Sequence, residues 1–277
     1  MIIDGKAIAA KIRLEIKDKT EELIKTKNII PVLAVILAGD DPASAIYVRN
    51  KIKACEETGI KSLSYTFDNN VTEDKLIELI HTLNDDDLVH GILVQLPLPK
   101  HINSKKVMST IADNKDVDGY SAYNIGQLAL GVKGYRSCTP YGVMKLLEYS
   151  GIEIEGKQAV IIGRSNTVGK PLVLMMLEKN ATVTVCHSKT RNLSEVTKTA
   201  DILVSATGQA LSVSADMVKP GAVVIDVGIA KVDGKTVGDV RFDEVSKVAS
   251  MITPVPGGVG PMTIAMLLYN TLESASG

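Results

Sequence analysis

Short apolar runs alternate with helix-length amphipathic segments along most of this chain. The strand-like runs are Val32–Ala38, Ser62–Phe67, Gly91–Leu96, Ala159–Ile162, Thr182–Cys186, Ile202–Ser205 and Val223–Asp226. The helix-like segments are Ser44–Glu57, Glu73–Leu83, Gly142–Ser150, Lys170–Lys179, Leu193–Thr199 and Met262–Glu273. Because nearly continuous apolar strands alternate with helices, the pattern predicts an α/β fold with parallel sheets covered by helices on both faces.

The alternation is interrupted once. Residues 119–157 form a polar, glycine-containing stretch with one clear helix, and a second βαβ series starts at residue 159. We therefore predict a lobe boundary near residue 119. Residues 252–261 are rich in Pro and Gly, which predicts a rigid loop leading into the last helix.

The composition argues against several classes of binding partner. The 277 residues include 31 Lys and Arg and 32 Asp and Glu, so the formal net charge is −1 and favours neither nucleic acid nor an anionic membrane as a partner. No apolar run is long enough to span a bilayer. With 8 Tyr, 2 Phe and no Trp, the core is expected to be aliphatic.

The cysteine and histidine positions argue against a disulfide framework and a metal site. Cys55, Cys138 and Cys186 are odd in number and far apart, and the four His form no HExxH or His/Cys cluster. Asp4 and Lys6 interrupt the N-terminus before a signal-peptide core. We expect a reduced, cytoplasmic location and no metal.

A glycine-containing turn follows the apolar run 159–162 and precedes a helix. It reads Gly163-Arg-Ser-Asn-Thr-Val-Gly169, in the position where a dinucleotide pyrophosphate meets backbone N–H groups at a helix N-terminus. Ser165 and Val168 stand where a GxGxxG motif needs glycine, so an ordinary βα turn remains an alternative.

The end of the next strand bears on cofactor choice. NAD-binding domains usually place an acid there, whereas this chain has Cys186-His-Ser-Lys-Thr-Arg191. Together with Arg164, these hydroxyl and basic groups suit the 2′-phosphate of NADP. A solvated basic loop is the alternative, and we favour NADP.

Three further side chains are candidates for chemistry in the N-terminal half. Tyr47 and Lys51 share a helix face, although many such pairs are ordinary surface. Short-chain dehydrogenases also use a Tyr-x-x-x-Lys pair, but theirs follows the glycine-rich turn and this one precedes it. Gln95 lies near the end of a strand, where ligand crevices form, or it satisfies local backbone. Asp118 either binds a ligand or caps a turn.

These motifs together resemble the bifunctional methylenetetrahydrofolate dehydrogenase/methenyltetrahydrofolate cyclohydrolase family. The matching segments are Tyr47–Ile60, Gly91–Pro99, Lys115–Gly119, Gly163–Pro171, Cys186–Thr190 and Pro256–Thr263. They occur in order over essentially the whole chain, and no position that the family uses for catalysis departs from its pattern.

The resemblance implies two reactions on tetrahydrofolate. NADP⁺ takes a hydride from 5,10-methylenetetrahydrofolate, and water opens the resulting 5,10-methenyl cation to 10-formyltetrahydrofolate. It also implies two α/β lobes around a cleft and a homodimer. Residues 1–118, completed by the C-terminal helix 261–277, would bind tetrahydrofolate. Residues 119–260 would form a Rossmann-like NADP-binding domain with a parallel sheet.

The resemblance also implies roles for individual residues. Lys51 would activate water and deliver a proton, which requires an amine that titrates near the working pH, and Gln95 would hold that amine. Tyr47 would stack on the folate ring system. The Asp118 carboxylate would accept two adjacent N–H groups of the pterin edge.

Two glycine-containing loops complete the implied site. Pro256, Gly257 and Gly258 would allow close backbone approach to the substrate, or they form a stiff hinge between lobes. Gly163, Arg164 and Ser165 would lie at the cofactor phosphates. Ser188 would lie near the adenosine ribose and Ile229 against the nicotinamide end.

Two other functions remain as alternatives. A reductase of another chemistry on a similar two-lobed plan, such as one like shikimate dehydrogenase, would show no activity on folate. A non-enzymatic NADP-binding redox sensor would bind the cofactor without turnover.

Overall fold

The structure is a computed structural model that describes residues 1–277. Its helices are α1 (Gly5–Lys27), α2 (Pro42–Thr58), α3 (Glu73–Asp85), α4 (Ser104–Ser109), α5 (Ala122–Ala129), α6 (Cys138–Tyr149), α7 (Gly169–Glu178), α8 (Leu193–Thr197), α9 (Phe242–Val245) and α10 (Val259–Ser276). Its strands are β1 (Val32–Ala38), β2 (Lys61–Phe67), β3 (Gly91–Val94), β4 (Gln158–Ile162), β5 (Thr182–Cys186), β6 (Ile202–Ser205), β7 (Val223–Asp226), β8 (Ala230–Val232), β9 (Lys235–Val237) and β10 (Met251–Ile252). A short 3₁₀ helix covers Ala215–Met217.

The chain divides into two compact units. The first, called here the three-stranded unit, comprises Lys11–Arg136 and Ile264–Gly277. The second, called the five-stranded unit, comprises Met1–Ala10 and Ser137–Thr263. The division falls at residues 136/137, whereas the sequence predicts a boundary near 119. Residues 119–136 belong with the three-stranded unit because the Asn124 side chain of α5 donates hydrogen bonds to the carbonyl of Asp113 (3.2 Å) and the carboxylate of Asp116 (3.0 Å).

The sheet of the three-stranded unit is parallel, in the order β2-β1-β3. The central strand β1 is buried along its whole length, as an unbroken apolar run requires. One of its faces packs with an apolar stripe of α3, which consists of Leu76, Ile80 and Leu83. This aliphatic core fixes the carboxyl end of β3, from which Gln95 follows.

The sheet of the five-stranded unit is also parallel, in the order β10-β7-β6-β4-β5. Its core is aliphatic and includes Val160, Leu203 and Val224 from three neighbouring strands. Helix α7 packs against β4 and β5. Since all five strands run the same way, the loops after β4, β5, β6 and β7 emerge at one edge. A separate antiparallel hairpin joins β8 to β9.

The predicted α/β fold with parallel sheets is confirmed. Strand β3 ends at Val94, two residues earlier than predicted, because Pro97 has no N–H to continue the ladder. The alternating pattern does not predict α1. Its buried positions recur every three or four residues, but they include Ala9 and Thr20, which dilute the apolar signal. No helix in the structure combines the length and apolar character that a membrane span requires.

Candidate active site

Helix α2 presents Tyr47 and Lys51 on one side. The helix starts where the Asp41 carboxylate accepts the backbone N–H of Ser44 at 2.8 Å, with a proline in the first turn. It ends at Gly59, whose φ of 75° lies in the left-handed region. Tyr47 remains 37% exposed, so part of this residue is accessible to a ligand.

The structure brings Lys51 and Gln95 together. The Lys51 ammonium donates a 2.9 Å hydrogen bond to Oε1 of Gln95, 44 residues further along the chain. Gln95 is itself fixed, because its backbone N–H donates to Ile36 O at 2.8 Å and its side-chain amide donates to Leu96 O at 2.6 Å. The predicted pairing of amine and amide is therefore present in the geometry.

The two carboxylates after β3 occupy different environments. Asp116 is buried, and its Oδ2 accepts the backbone N–H of Ser121 at 2.6 Å and the Asn124 side-chain amide at 3.0 Å. Burial raises the pKa of Asp116 to about 6, and these hydrogen bonds partly offset the rise. Asp116 thus stabilises the loop before α5, whose N-cap is Ser121, while Asp118 remains partly exposed.

Two polar residues to which the sequence analysis assigns no role hold this loop. Asn270 of α10 donates from its side-chain amide to the carbonyls of Val117 (2.8 Å) and Arg136 (2.9 Å). Lys115 donates to three carbonyls at the end of α3. The available signal was a lone Asn in the apolar run of α10, which sequence reasoning did not use.

The glycine turn after β4 is tight enough to exclude side chains. Gly163 has φ +124°, and a Cβ there would overlap the carbonyl of Ala206. The Ser165 hydroxyl accepts the backbone N–H groups of Val168 (3.1 Å) and Gly169 (3.4 Å), so it closes the loop at the first turn of α7. Arg164 is exposed beside it. The backbone N–H groups of Val168, Gly169 and Lys170 thus all donate to Ser165. The group that this loop exposes to an anion is the Arg164 guanidinium.

The other predicted cofactor residues lie at the same edge of the five-stranded sheet. Ser188 is exposed two residues after β5, and Ile229 is 49% exposed three residues after β7. Strands β5 and β7 are separated by three inter-strand spacings, about 14 Å in total. A dinucleotide laid along this edge would meet Ser188, the glycine turn and Ile229 in order.

The loop before α10 has close backbone contacts of its own. Gly257 has φ +111°, and its carbonyl accepts the Lys6 backbone N–H at 3.0 Å. A Cβ on Gly258 would lie 2.7 Å from Pro254 O. Pro256 is exposed. Packing within the five-stranded unit thus already requires glycine at position 258.

Comparison with known proteins assigns both parts of the chain. A family model described as tetrahydrofolate dehydrogenase/cyclohydrolase, catalytic domain, matches residues 3–118. The model of the NAD(P)-binding domain of the same proteins matches residues 137–277.

Full-length relatives give the same assignment. The bifunctional protein FolD of Campylobacter jejuni is 57% identical over 276 residues, which cover 99% of this chain and 98% of the relative. A crystal structure of the bifunctional enzyme FolD, methylenetetrahydrofolate dehydrogenase/cyclohydrolase, from that organism has a TM-score of 0.97 at 56% identity, covering 100% and 98% of the two chains. The Trypanosoma brucei methylenetetrahydrofolate dehydrogenase-cyclohydrolase, complexed with NADP cofactor and inhibitor, has a TM-score of 0.95 at 40% identity, covering 100% and 97%.

Proposed function

The chain belongs to the tetrahydrofolate dehydrogenase/cyclohydrolase family, and from that premise we propose which of its residues carry the two reactions. The enzyme oxidises 5,10-methylenetetrahydrofolate to the 5,10-methenyl form with NADP⁺ and hydrolyses the product to 10-formyltetrahydrofolate. The hydrogen bond between Lys51 and Gln95 is the observation on which the assignment of residues depends.

The residues at the edge of the five-stranded sheet fit NADP. The turn from Gly163 to Gly169 has no room for a side chain at either glycine, and it leads directly into the N-terminal end of α7. The exposed Arg164 offers a positive charge. The residues that follow β5 include no Asp or Glu, so no negative charge there repels a 2′-phosphate. When bound, NADP⁺ supplies the hydride acceptor.

In the oxidation, the protein's task is positioning. The lone pair of the bridging folate nitrogen expels the hydride, so little acid–base help is needed. We assign Tyr47 to stack on the folate ring system and Asp118 to accept the paired N–H groups of the pterin edge. We keep Pro256, Gly257 and Gly258 as substrate-contacting backbone. Gly163, Arg164 and Ser165 would contact the cofactor phosphates, Ser188 the adenosine ribose and Ile229 the nicotinamide end.

In the hydrolysis, we assign Lys51 as the general base and then the general acid. Its amine activates the attacking water and later delivers a proton to the ring nitrogen that leaves. The Gln95 side chain accepts one N–H of the amine at 2.9 Å and thereby orients it. The cationic substrate favours the neutral amine by charge repulsion, which is the form that can accept a proton.

The Lys51→Met substitution tests this assignment. Hydrolysis of supplied 5,10-methenyltetrahydrofolate, followed by loss of its absorbance, should slow by about 10²- to 10⁴-fold while NADP⁺ still binds. Lys53→Met is the matched control, because Lys53 lies on the same helix, is 75% exposed and pairs only loosely with Glu57 at 4.0 Å. Unchanged hydrolysis in the Lys51 variant would disprove the assigned role.

We also propose the ligand of each part of the chain, the oligomeric state and the cellular location. We infer that residues 1–118, with the C-terminal helix, bind tetrahydrofolate and that residues 137–260 bind NADP, and family models that match 3–118 and 137–277 support this division. Residues 119–136, which the sequence places in the NADP-binding domain, belong to the three-stranded unit. We further propose a homodimer, which light scattering coupled to gel filtration tests. A reduced cytoplasmic location is supported by the burial of Cys55, Cys138 and Cys186.

A further inference from the structure

Two buried carboxylates lie close to the proposed cofactor edge of the five-stranded sheet and take no part in the proposed proton or hydride transfers. Asp226 is the last residue of β7 and is 3% exposed. Asp239 lies two residues after β9 and is 1% exposed. Both belong to the five-stranded unit.

Asp226 uses both of its oxygens as acceptors of backbone hydrogen bonds. Oδ1 accepts the N–H groups of Gly228 and Asp239, each at 3.0 Å, and Oδ2 accepts the N–H of Val240 at 2.9 Å. Hydrogen bonds to an ionised carboxylate are stronger than those between neutral groups. One side chain therefore ties the segment after β7 to the segment after β9.

Asp239 extends the same connection to β6. Its Oδ2 accepts the Ser205 hydroxyl at 2.9 Å and the backbone N–H of Thr207 at 2.7 Å. Its Oδ1 is buried and accepts no hydrogen bond from the protein. Only one oxygen of Asp239 is thus engaged, in contrast to Asp226.

Glycines make room for both carboxylates. A Cβ on Gly228 would overlap the carboxylate of Asp239, and a Cβ on Gly238 would overlap that of Asp226. Gly228 immediately precedes Ile229, the residue assigned to the nicotinamide end. Both carboxylates therefore lie against the backbone of the residue that precedes Ile229.

We propose that Asp226 and Asp239 are positioning residues for the NADP⁺-dependent oxidation, holding the segments after β6 and β7 in the shape that receives the nicotinamide end. This inference rests on the proposed function. Neither residue is expected to affect the hydrolysis, because that reaction takes its proton chemistry from Lys51 and needs no cofactor. The two activities of one enzyme thus provide an internal comparison.

The first test is Asp226→Asn. An amide has one acceptor oxygen, so in either orientation its NH₂ group faces a backbone N–H that now donates to the carboxylate. We expect kcat/KM for NADP⁺ to fall about 10- to 100-fold. Hydrolysis of supplied 5,10-methenyltetrahydrofolate without NADP⁺ should be unchanged. Both assays are run at pH 8, above the pKa of about 6 to which burial raises Asp226.

Asp239 allows a test by rescue. Asp239→Asn keeps an oxygen for Ser205 and Thr207, whereas Asp239→Ala removes both hydrogen bonds. The Ala variant should lose NADP⁺-dependent activity selectively and the Asn variant should retain most of it. If the Asp226 variant does not fold, the comparison of these two Asp239 variants still tests the proposal.

Asp201→Asn is the matched control. Asp201 lies in the same unit and accepts the backbone N–H of Gln158 at 2.9 Å and the Lys219 ammonium at 2.6 Å, but it precedes β6 and so lies at the opposite edge of the sheet. It should leave kcat/KM for NADP⁺ unchanged.

Equal losses of both activities in the Asp226 or Asp239 variants would overturn the proposal, since that result reports only a smaller folded fraction. Unchanged oxidation in Asp226→Asn, or equal oxidation in the two Asp239 variants, would also overturn it. An error in the role of Lys51 would appear in the Lys51 variant alone and leave this comparison intact.

Discussion

Lys115 offers a prediction whose size follows from the structure. Its side chain is buried, with 7% exposure, and its ammonium donates to the carbonyls of Leu83 (2.9 Å), Asn84 (2.8 Å) and Asp86 (2.7 Å). These carbonyls lie at the C-terminal end of α3, which has no basic residue in its own last turn. Lys115 therefore supplies from outside the helix the positive charge that this end favours.

The Lys115→Met substitution keeps the aliphatic stem and removes the three donors. Each hydrogen bond to a charged group contributes about 1.5–3 kcal/mol net, but two of the three carbonyls are only partly buried and can regain water. We therefore expect the free energy of unfolding to fall by about 3–5 kcal/mol, because one buried carbonyl loses its donor outright and the other two recover only part of the loss from water. Because Lys115 is three residues before Asp118, the KM for folate should rise as well.

Urea unfolding followed by circular dichroism measures the change in the free energy of unfolding. Lys106→Met is the control, because Lys106 is an exposed lysine of the same unit that donates to Glu73 Oε1 at 2.7 Å. Solvent screens that pair, so its loss should change stability little. If Lys115→Met were no more destabilised than Lys106→Met, the reasoning about the buried ammonium would be refuted.

Three shorter predictions concern other residues. Arg164→Ser should raise KM for NADP⁺ and leave KM for NAD⁺ unaffected, whereas equal rises for both cofactors would contradict a 2′-phosphate contact. Gly163→Ala should abolish tight NADP⁺ binding in a dialysis assay, because the new Cβ overlaps Ala206 O at a positive φ, and retained affinity would contradict this geometry. Burial raises the pKa of Asp116 and Asp226 from 3.8 to about 6, so the folded state binds these protons more tightly than the unfolded state. The resulting stabilisation is complete below pH 3.8 and is lost as the pH rises through about 6. Lowering the pH from 7 to 5 should therefore add about 1 kcal/mol per carboxyl, and thermal unfolding of Asp116→Asn should show a smaller gain than the unsubstituted chain. Equal gains would exclude this explanation.

Local information in the sequence was enough for the fold class and most of its strands. An unbroken apolar run such as Val32–Ala38 favours a strand buried on both faces, and the structure shows it at the centre of a parallel sheet. The motifs likewise indicated the family, because the segments that resemble it occur in order over essentially the whole chain. The sequence pattern did not predict helix α1 or the unit boundary at 136/137, because both depend on tertiary packing and not on a local pattern of residues.

The sequence by itself determined the residue types available for chemistry: an amine and an aromatic ring one turn apart, an amide after a strand, and a glycine turn before a helix. Only the tertiary structure decided which groups meet. It joined Lys51 to Gln95 across 44 residues, made Asp116 the acceptor for the Ser121 backbone N–H, and buried Asp226 beside Asp239. The physical reason is that hydrogen bonds and burial act over a few ångströms in space. Local sequence patterns carry no such distances between segments that are far apart in the chain.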